Sequence, residues 1–121
     1  MPSRLIVSRE LAELFKLLAH PDRLRLVEEL RSGEQDVGSI ASALMLPATR
    51  ISQHLALLKA VRLVEERRAG RTHFYRLVHP QMAGWILEAL PFIDIRNRLE
   101  NAAHIDDARA RWSTVPPEIS T

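Results

Sequence analysis

The side chains best suited to recognition chemistry lie close together in "TRISQHLALLK", Thr49 to Lys59. Ile51, Leu55 and Leu58 stand at i, i+4 and i+7, the spacing of one apolar stripe on a helix. At about 100° per residue, Thr49, Gln53, Ala56 and Ala60 point away from that stripe, with Arg50 and Ser52 on its flanks. A solvated face is ordinarily filled with Glu and Lys; this one has small and hydrogen-bonding side chains and no acid. Its chemistry is that of base-edge pairing. Gln53 suits adenine, Arg50 suits guanine, Thr49 and Ser52 suit a base or a phosphate, and Ala56 can pack on a thymine methyl. His54 lies beside the stripe. It is either a further DNA contact or a half-buried histidine that fixes a turn through a hydrogen bond.

A second group follows in "RRAGR". Arg67, Arg68 and Arg71 flank a turn, where they can reach phosphates or a neighbouring minor groove, or else pair with Glu65 and Glu66. From Pro47 to His79, Arg50, Lys59, Arg62, Arg67, Arg68, Arg71 and Arg76 stand against Glu65 and Glu66 alone. This block is more positive than the whole chain, whose net charge is +2. A basic block on an otherwise mildly acidic protein is the footprint of a nucleic-acid binder. Of the 17 basic residues only Lys16 and Lys59 are lysines; arginine forks suit phosphate and guanine, though a GC-rich genome produces the same bias.

Other chemistries find little support. The absence of cysteine removes disulfides, thiolate metal sites and thiol redox sensing. His104 and Asp107 stand at i, i+3 and can share a helical face, but two ligands do not make a metal site. No nucleophile-and-base motif or phosphate-cradling glycine loop appears, so no enzyme and no cofactor are expected. No apolar run approaches the roughly 18 residues that span a bilayer, and no signal peptide is evident. The expectation is a soluble cytoplasmic protein with no membrane partner.

The elements that must position these residues read as follows. Ser8 can cap a first helix with the stripe Leu11, Leu14, Phe15 and Leu18. His20 and Pro21 break it and open a second, with Leu24, Leu26, Val27 and Leu30 inward and Gly33 at its end. Asp36 caps a short third helix bearing Val37, Ile40, Ala41 and Leu44. The tight connection "MLPAT" leads into the fourth helix, which completes a helix-turn-helix. Ala69-Gly70 marks a hairpin turn, and Thr72, Phe74, Tyr75, Leu77 and Val78 favour a strand. "QMAGWILEAL" predicts a fifth helix with Met82, Trp85, Ile86 and Leu90, interrupted by Pro91. "IRNRLENAAHIDDARARW" predicts one more, with Ile95, Leu99, Ala102 and Ile105 on one side.

The expected architecture is mostly α: a winged helix-turn-helix with a two-stranded β wing and flanking helices at both ends. Residues 1–93 form the winged domain, 94–113 a C-terminal helical extension and 114–121 a disordered tail. In its motifs, "LLAHPDRLRLVEEL" and then "ISQHLALLKAVRLVEERRAGRTHFYRL", the chain resembles the ArsR/SmtB-type bacterial transcriptional repressors over roughly residues 10 to 93. The resemblance implies a homodimer built from the first and fifth helices, repressing its operator until an inducer releases it. Leu11, Leu14, Phe15, Leu18, Met82, Trp85 and Ile86 can serve monomer core or dimer interface; the resemblance favours the interface. Two-fold symmetry then predicts an inverted-repeat operator read by recognition helices about 34 Å apart.

Departures from the family pattern are specific. Arg62 stands where members often have glycine, before the "L-V" that begins the wing. The family's third-helix cysteine positions fall on Asp36 and Gly38. Its fifth-helix zinc pairs fall on His79 with Gln81 and on Phe92 with Ile95. Neither metal site is retained, so the expected inducer is an unidentified small molecule or other signal. Two alternatives remain: a winged helix used as a protein-interaction module, and a metal sensor with an atypical site, including one that His104 and Asp107 complete across a dimer.

Overall fold

The computed structural model describes residues 2–96 and 102–113. Along the chain come α1 (Pro2–Leu18), α2 (Pro21–Glu29), a 3-10 turn (Leu30–Ser32), β1 (Gln35–Asp36), α3 (Val37–Leu44), α4 (Ala48–Ala60), β2 (Val64–Ala69), β3 (Thr72–Leu77), α5 (Met82–Leu87), α6 (Leu90–Arg96) and α7 (Ala102–Ser113). This is a mostly helical winged helix-turn-helix with a small antiparallel sheet, ordered β1-β3-β2.

The core lies where α2, α3 and α4 meet the base of the wing. Leu26, Val27 and Leu30 meet Ile40 and Leu44, then the α4 stripe Ile51, Leu55 and Leu58, closed by Val64 and Leu77. Burying each large side chain contributes about 1.5–3 kcal/mol, so this junction dominates the packing energy. It also fixes which face of α4 looks outward.

Local chemistry sets the element ends. His20 is the N-cap of α2, its Nδ1 accepting from the Asp22 amide at 3.1 Å, with Pro21 in the first helical position. Asp36 caps α3 as expected, its carboxylate accepting from the Ser39 amide at 3.1 Å. Both α3 and α4 end in Schellman motifs. Leu46 N–H reaches Ala41 carbonyl (3.1 Å), and Leu63 N–H reaches Leu58 carbonyl (2.9 Å). The left-handed residues at these ends are Met45 (φ 56°) and Arg62 (φ 62°), where glycine is the usual occupant. The departure at Arg62 thus falls on a strained backbone position that turns the chain from recognition helix into wing. The wing tip is a two-residue loop with Gly70 at φ 61° in the first central position, the requirement of a type II′ hairpin.

Several expectations need correction. α1 begins at Pro2, and Ser8 lies inside it rather than capping it; proline is well tolerated at a helix start. β1 is an addition to the two-stranded wing that two residues without periodicity do not signal; it pairs Gln35 with Tyr75 and Asp36 with Phe74, giving a three-stranded sheet. The predicted fifth helix is shorter than Gln81 to Leu90, with α5 spanning Met82–Leu87, and Pro91 does not interrupt the helical pattern but sits in the first turn of α6, where its missing N–H costs nothing. The predicted final helix runs across residues 97–101, which lie outside the described residues, like residues 114–121 and the side chains of Ile95, Leu99, Ala102 and Ile105; on either side are α6 (Leu90–Arg96) and α7 (Ala102–Ser113). From α7, Trp112 packs against the core.

Candidate nucleic-acid interface

The outward face of α4 carries the expected set. Ile51, Leu55 and Leu58 are fully buried, and Thr49, Arg50, Ser52, Gln53 and Ala56 on the other sides are exposed. Pro47 precedes the helix as its N-cap and offers no side-chain acceptor; the Arg50 amide donates to its carbonyl at 3.0 Å, leaving the Ala48 and Thr49 amides of the first turn to face an anion such as phosphate. A groove of about 460 Å³ runs between α3, Ser52 and the wing residues Arg71, Thr72 and His73.

Beneath that face lies a polar network that the sequence did not reveal. Asp22, near the start of α2, places Oδ2 at 3.6 Å from Arg50 Nε and at 3.6 Å from His54 Nε2. Arg23 donates from Nε to His54 Nδ1 (3.3 Å) and from an Nη to the Leu17 carbonyl at the end of α1 (2.7 Å). The His20 ring meets the His54 ring edge-on at 4.5 Å. His54 is therefore corrected from the set of DNA contacts. It is 8% exposed and holds helices together, the second of the two roles considered for it. Burial lowers its pKa, and the neighbouring His20 and Arg23 add to the effect while Asp22 opposes it.

The wing arginines differ in availability. Arg67 is held by Glu34 through Nε and Nη contacts of 3.1 and 2.7 Å and lies over the Phe74 ring at 4.5 Å, so its partner is neither Glu65 nor Glu66. Arg76 pairs with Glu65. Glu66 gathers Lys59 (2.6 Å), His73 and the Tyr75 hydroxyl, and the Lys59 hydrogen bond is the largest cause of its pKa falling to about 2. Arg68 and Arg71, at the tip, are exposed and form no ion pair among the described residues.

The residues expected at an interface between copies divide. Leu18 is 5% exposed and belongs to the monomer core, which removes it from the set. Leu14, Met82 and Ile86 are half-buried against that core. Leu11, Phe15 and Trp85 are exposed, with Phe15 stacked on Trp85 at 5.6 Å, and Leu5, Ile6, Phe92 and Ile93 extend the exposed apolar surface. His104 and Asp107 are exposed on α7. Among the described residues, His20, Asp22 and His54 bring ligand atoms within 4.8 Å of one another. Arg23 and Arg50 contact that same cluster and Arg25 approaches Asp22 at 4.0 Å, a positive field that opposes a dication.

Comparison with known proteins agrees with this geometry. A family profile, "Bacterial regulatory protein, arsR family", matches residues 20–66. The chain is 37% identical over 78 residues to the HTH-type transcriptional regulator KmtR of Mycobacterium tuberculosis, covering 64% of this chain and 60% of that protein. It is 40% identical over 81 residues to the biofilm growth-associated repressor of Agrobacterium fabrum, covering 67% and 68%. Among solved structures, the transcriptional repressor BigR from Xylella fastidiosa superposes with a TM-score of 0.63 at 30% identity, covering 80% of this chain and 96% of that one. A homodimeric winged helix-turn-helix DNA-binding domain from Mycobacterium bovis, a possible ArsR-family regulator, does so at 0.64 and 31%, covering 75% and 84%. The chain thus spans about 60% of the length of KmtR and most of the length of these solved relatives. With its fold, its recognition helix and its wing, the protein belongs to the ArsR/SmtB family of winged helix-turn-helix transcriptional regulators.

Proposed function

We propose that the protein is a sequence-specific repressor that binds an inverted-repeat operator as a homodimer and leaves it when an inducer binds. The observation that carries this reading is the acid-free outer face of α4, with Thr49, Arg50, Ser52 and Gln53 exposed beside a wing tip whose Arg68 and Arg71 are exposed and form no ion pair among the described residues. Such a face matches the edge pattern of a major groove, while the tip cations match phosphates or the adjacent minor groove. The exposed apolar surface of α1, α5 and α6 supports the homodimer, and the homodimeric relative from Mycobacterium bovis lends the same support. Residues 1–93 are the unit that would bind and dimerise, with 94–113 as an extension and 114–121 as a tail. A protein-interaction module would place its apolar patch on the first turns of α4, where the exposed side chains are polar or small.

Selection from a randomised duplex pool tests the reading. The enriched sequence should be an inverted repeat with half-site centres about one helical turn apart. A pool that enriches nothing over rounds contradicts it.

A further inference from the structure

We propose that Asp22 is a positioning residue for the recognition helix: from α2 it holds the Arg50 guanidinium in one orientation on the outer face of α4, and so sets discrimination at the base pair that Arg50 reads. The inference rests on the DNA-binding reading above.

A carboxylate close to a DNA-facing helix is a liability, because it repels phosphate. Asp22 is nevertheless there, its side chain 14% exposed and 3.6 Å from Arg50 Nε. The contact is at the chain-side nitrogen, so the terminal nitrogens remain the forward edge of the fork that pairs with guanine. Arg50 is itself 54% exposed, and an arginine that free in solvent samples many rotamers. Anchoring it before DNA arrives removes part of the ordering cost and penalises bases that need another orientation.

Asp22 is rigid enough to serve as the anchor. Its amide caps onto His20 Nδ1 at 3.1 Å. Its carboxylate also faces His54 Nε2. The opposite nitrogen of that ring accepts from Arg23, which in turn grips the Leu17 carbonyl. Arg25 approaches the same carboxylate at 4.0 Å from its own helix. The chain of contacts therefore ties the end of α1, the start of α2 and the middle of α4 to one arginine.

The test is a double-mutant cycle of Asp22→Ala and Arg50→Ala, using the duplex enriched by the wild-type protein, its single-base variants and a shuffled duplex. Asp22→Ala should lower discrimination about tenfold at the same base pair that Arg50→Ala affects. Affinity for the shuffled duplex should hold or tighten, since a negative charge has gone. The double variant should lose no more discrimination than Arg50→Ala alone. Where Asp22→Ala melts below the assay temperature, Asp22→Asn, which keeps the shape and removes the charge, carries the same cycle. Unchanged discrimination in a folded variant, or losses that multiply, would overturn the proposal. A wild-type protein that binds shuffled and enriched duplexes alike would instead overturn the DNA-binding reading, and the inference with it.

Discussion

The recognition helix and the wing both present arginine, and they hold it in opposite ways. Arg50 meets Asp22, a carboxylate sheltered between helices at 14% exposure. Arg67 and Arg76 meet Glu34 and Glu65, exposed at 29% and 50%, on a hairpin that solvent surrounds. Ion pairs of the second kind are screened and worth little, so they yield to phosphate readily. The sheltered pair is held by neighbours on three helices. The comparison teaches that a count of basic residues overstates how many cations are free. Within the block from Pro47 to His79, Arg50, Lys59, Arg67 and Arg76 are each paired; Arg62, Arg68 and Arg71 form no ion pair among the described residues.

The largest effect on this contrast is expected on the helix side. Gln53→Ala should weaken specific binding by about 1–3 kcal/mol and relax preference at one base pair, leaving the folded protein intact. Competition titrations against single-base operator variants measure it; equal loss on every sequence would remove Gln53 from base reading. On the wing, Arg71→Ala should lower the salt dependence of log K by about one unit per protomer, with little change in specificity. Arg67→Ala should lower it less, because Glu34 already occupies that side chain. Identical slopes for the two variants would mean that the ion pair does not govern availability.

Acid should separate the two regions by pH. His54 has its pKa lowered from 6.5, chiefly by burial, so the folded state resists a proton that the unfolded chain accepts. Stability is then full above 6.5 and falls as pH drops below it. Glu66 in the wing is lowered from 4.5 to about 2, chiefly by Lys59, so its contribution is present above 4.5 and is lost as pH falls toward about 2. Melting temperature followed downward from neutral pH should decline first through the histidine window, and His54→Gln should flatten that part of the curve. A decline confined to below 4.5 in the wild type would contradict the role of burial at His54.

The smallest effect lies at the junction of the two regions. Arg62 holds φ 62° at the end of α4, and Arg62→Gly should stabilise the fold by up to about 1 kcal/mol through relief of that backbone. The urea midpoint should rise at unchanged slope. A fall would mean that the arginine side chain contributes more than the strain it imposes.

What could be read from the sequence follows distance along the chain. The stripe Ile51, Leu55 and Leu58, the Asp36 cap and the Gly70 turn are local patterns, and each appears where its spacing places it. The anchors are not local. Arg67 finds Glu34 and Arg50 finds Asp22 only after the helices pack, so pairing to the nearer Glu65 or Glu66 was the natural expectation. His54 shows the same limit: its position beside the stripe left both roles open, and the packing of α2 against α4 buried it. The start of α6 at Leu90 is not legible because Pro91 reads equally as a helix stop and as a first-turn residue.

The central claim is that the outer face of α4 and the wing tip read DNA. Its most direct test is fluorescence anisotropy of the purified protein titrated onto labelled DNA from upstream of its own gene, with a shuffled duplex as competitor. Selective binding that weakens steeply with salt is the predicted result. Absence of binding to either duplex at low salt would contradict the claim.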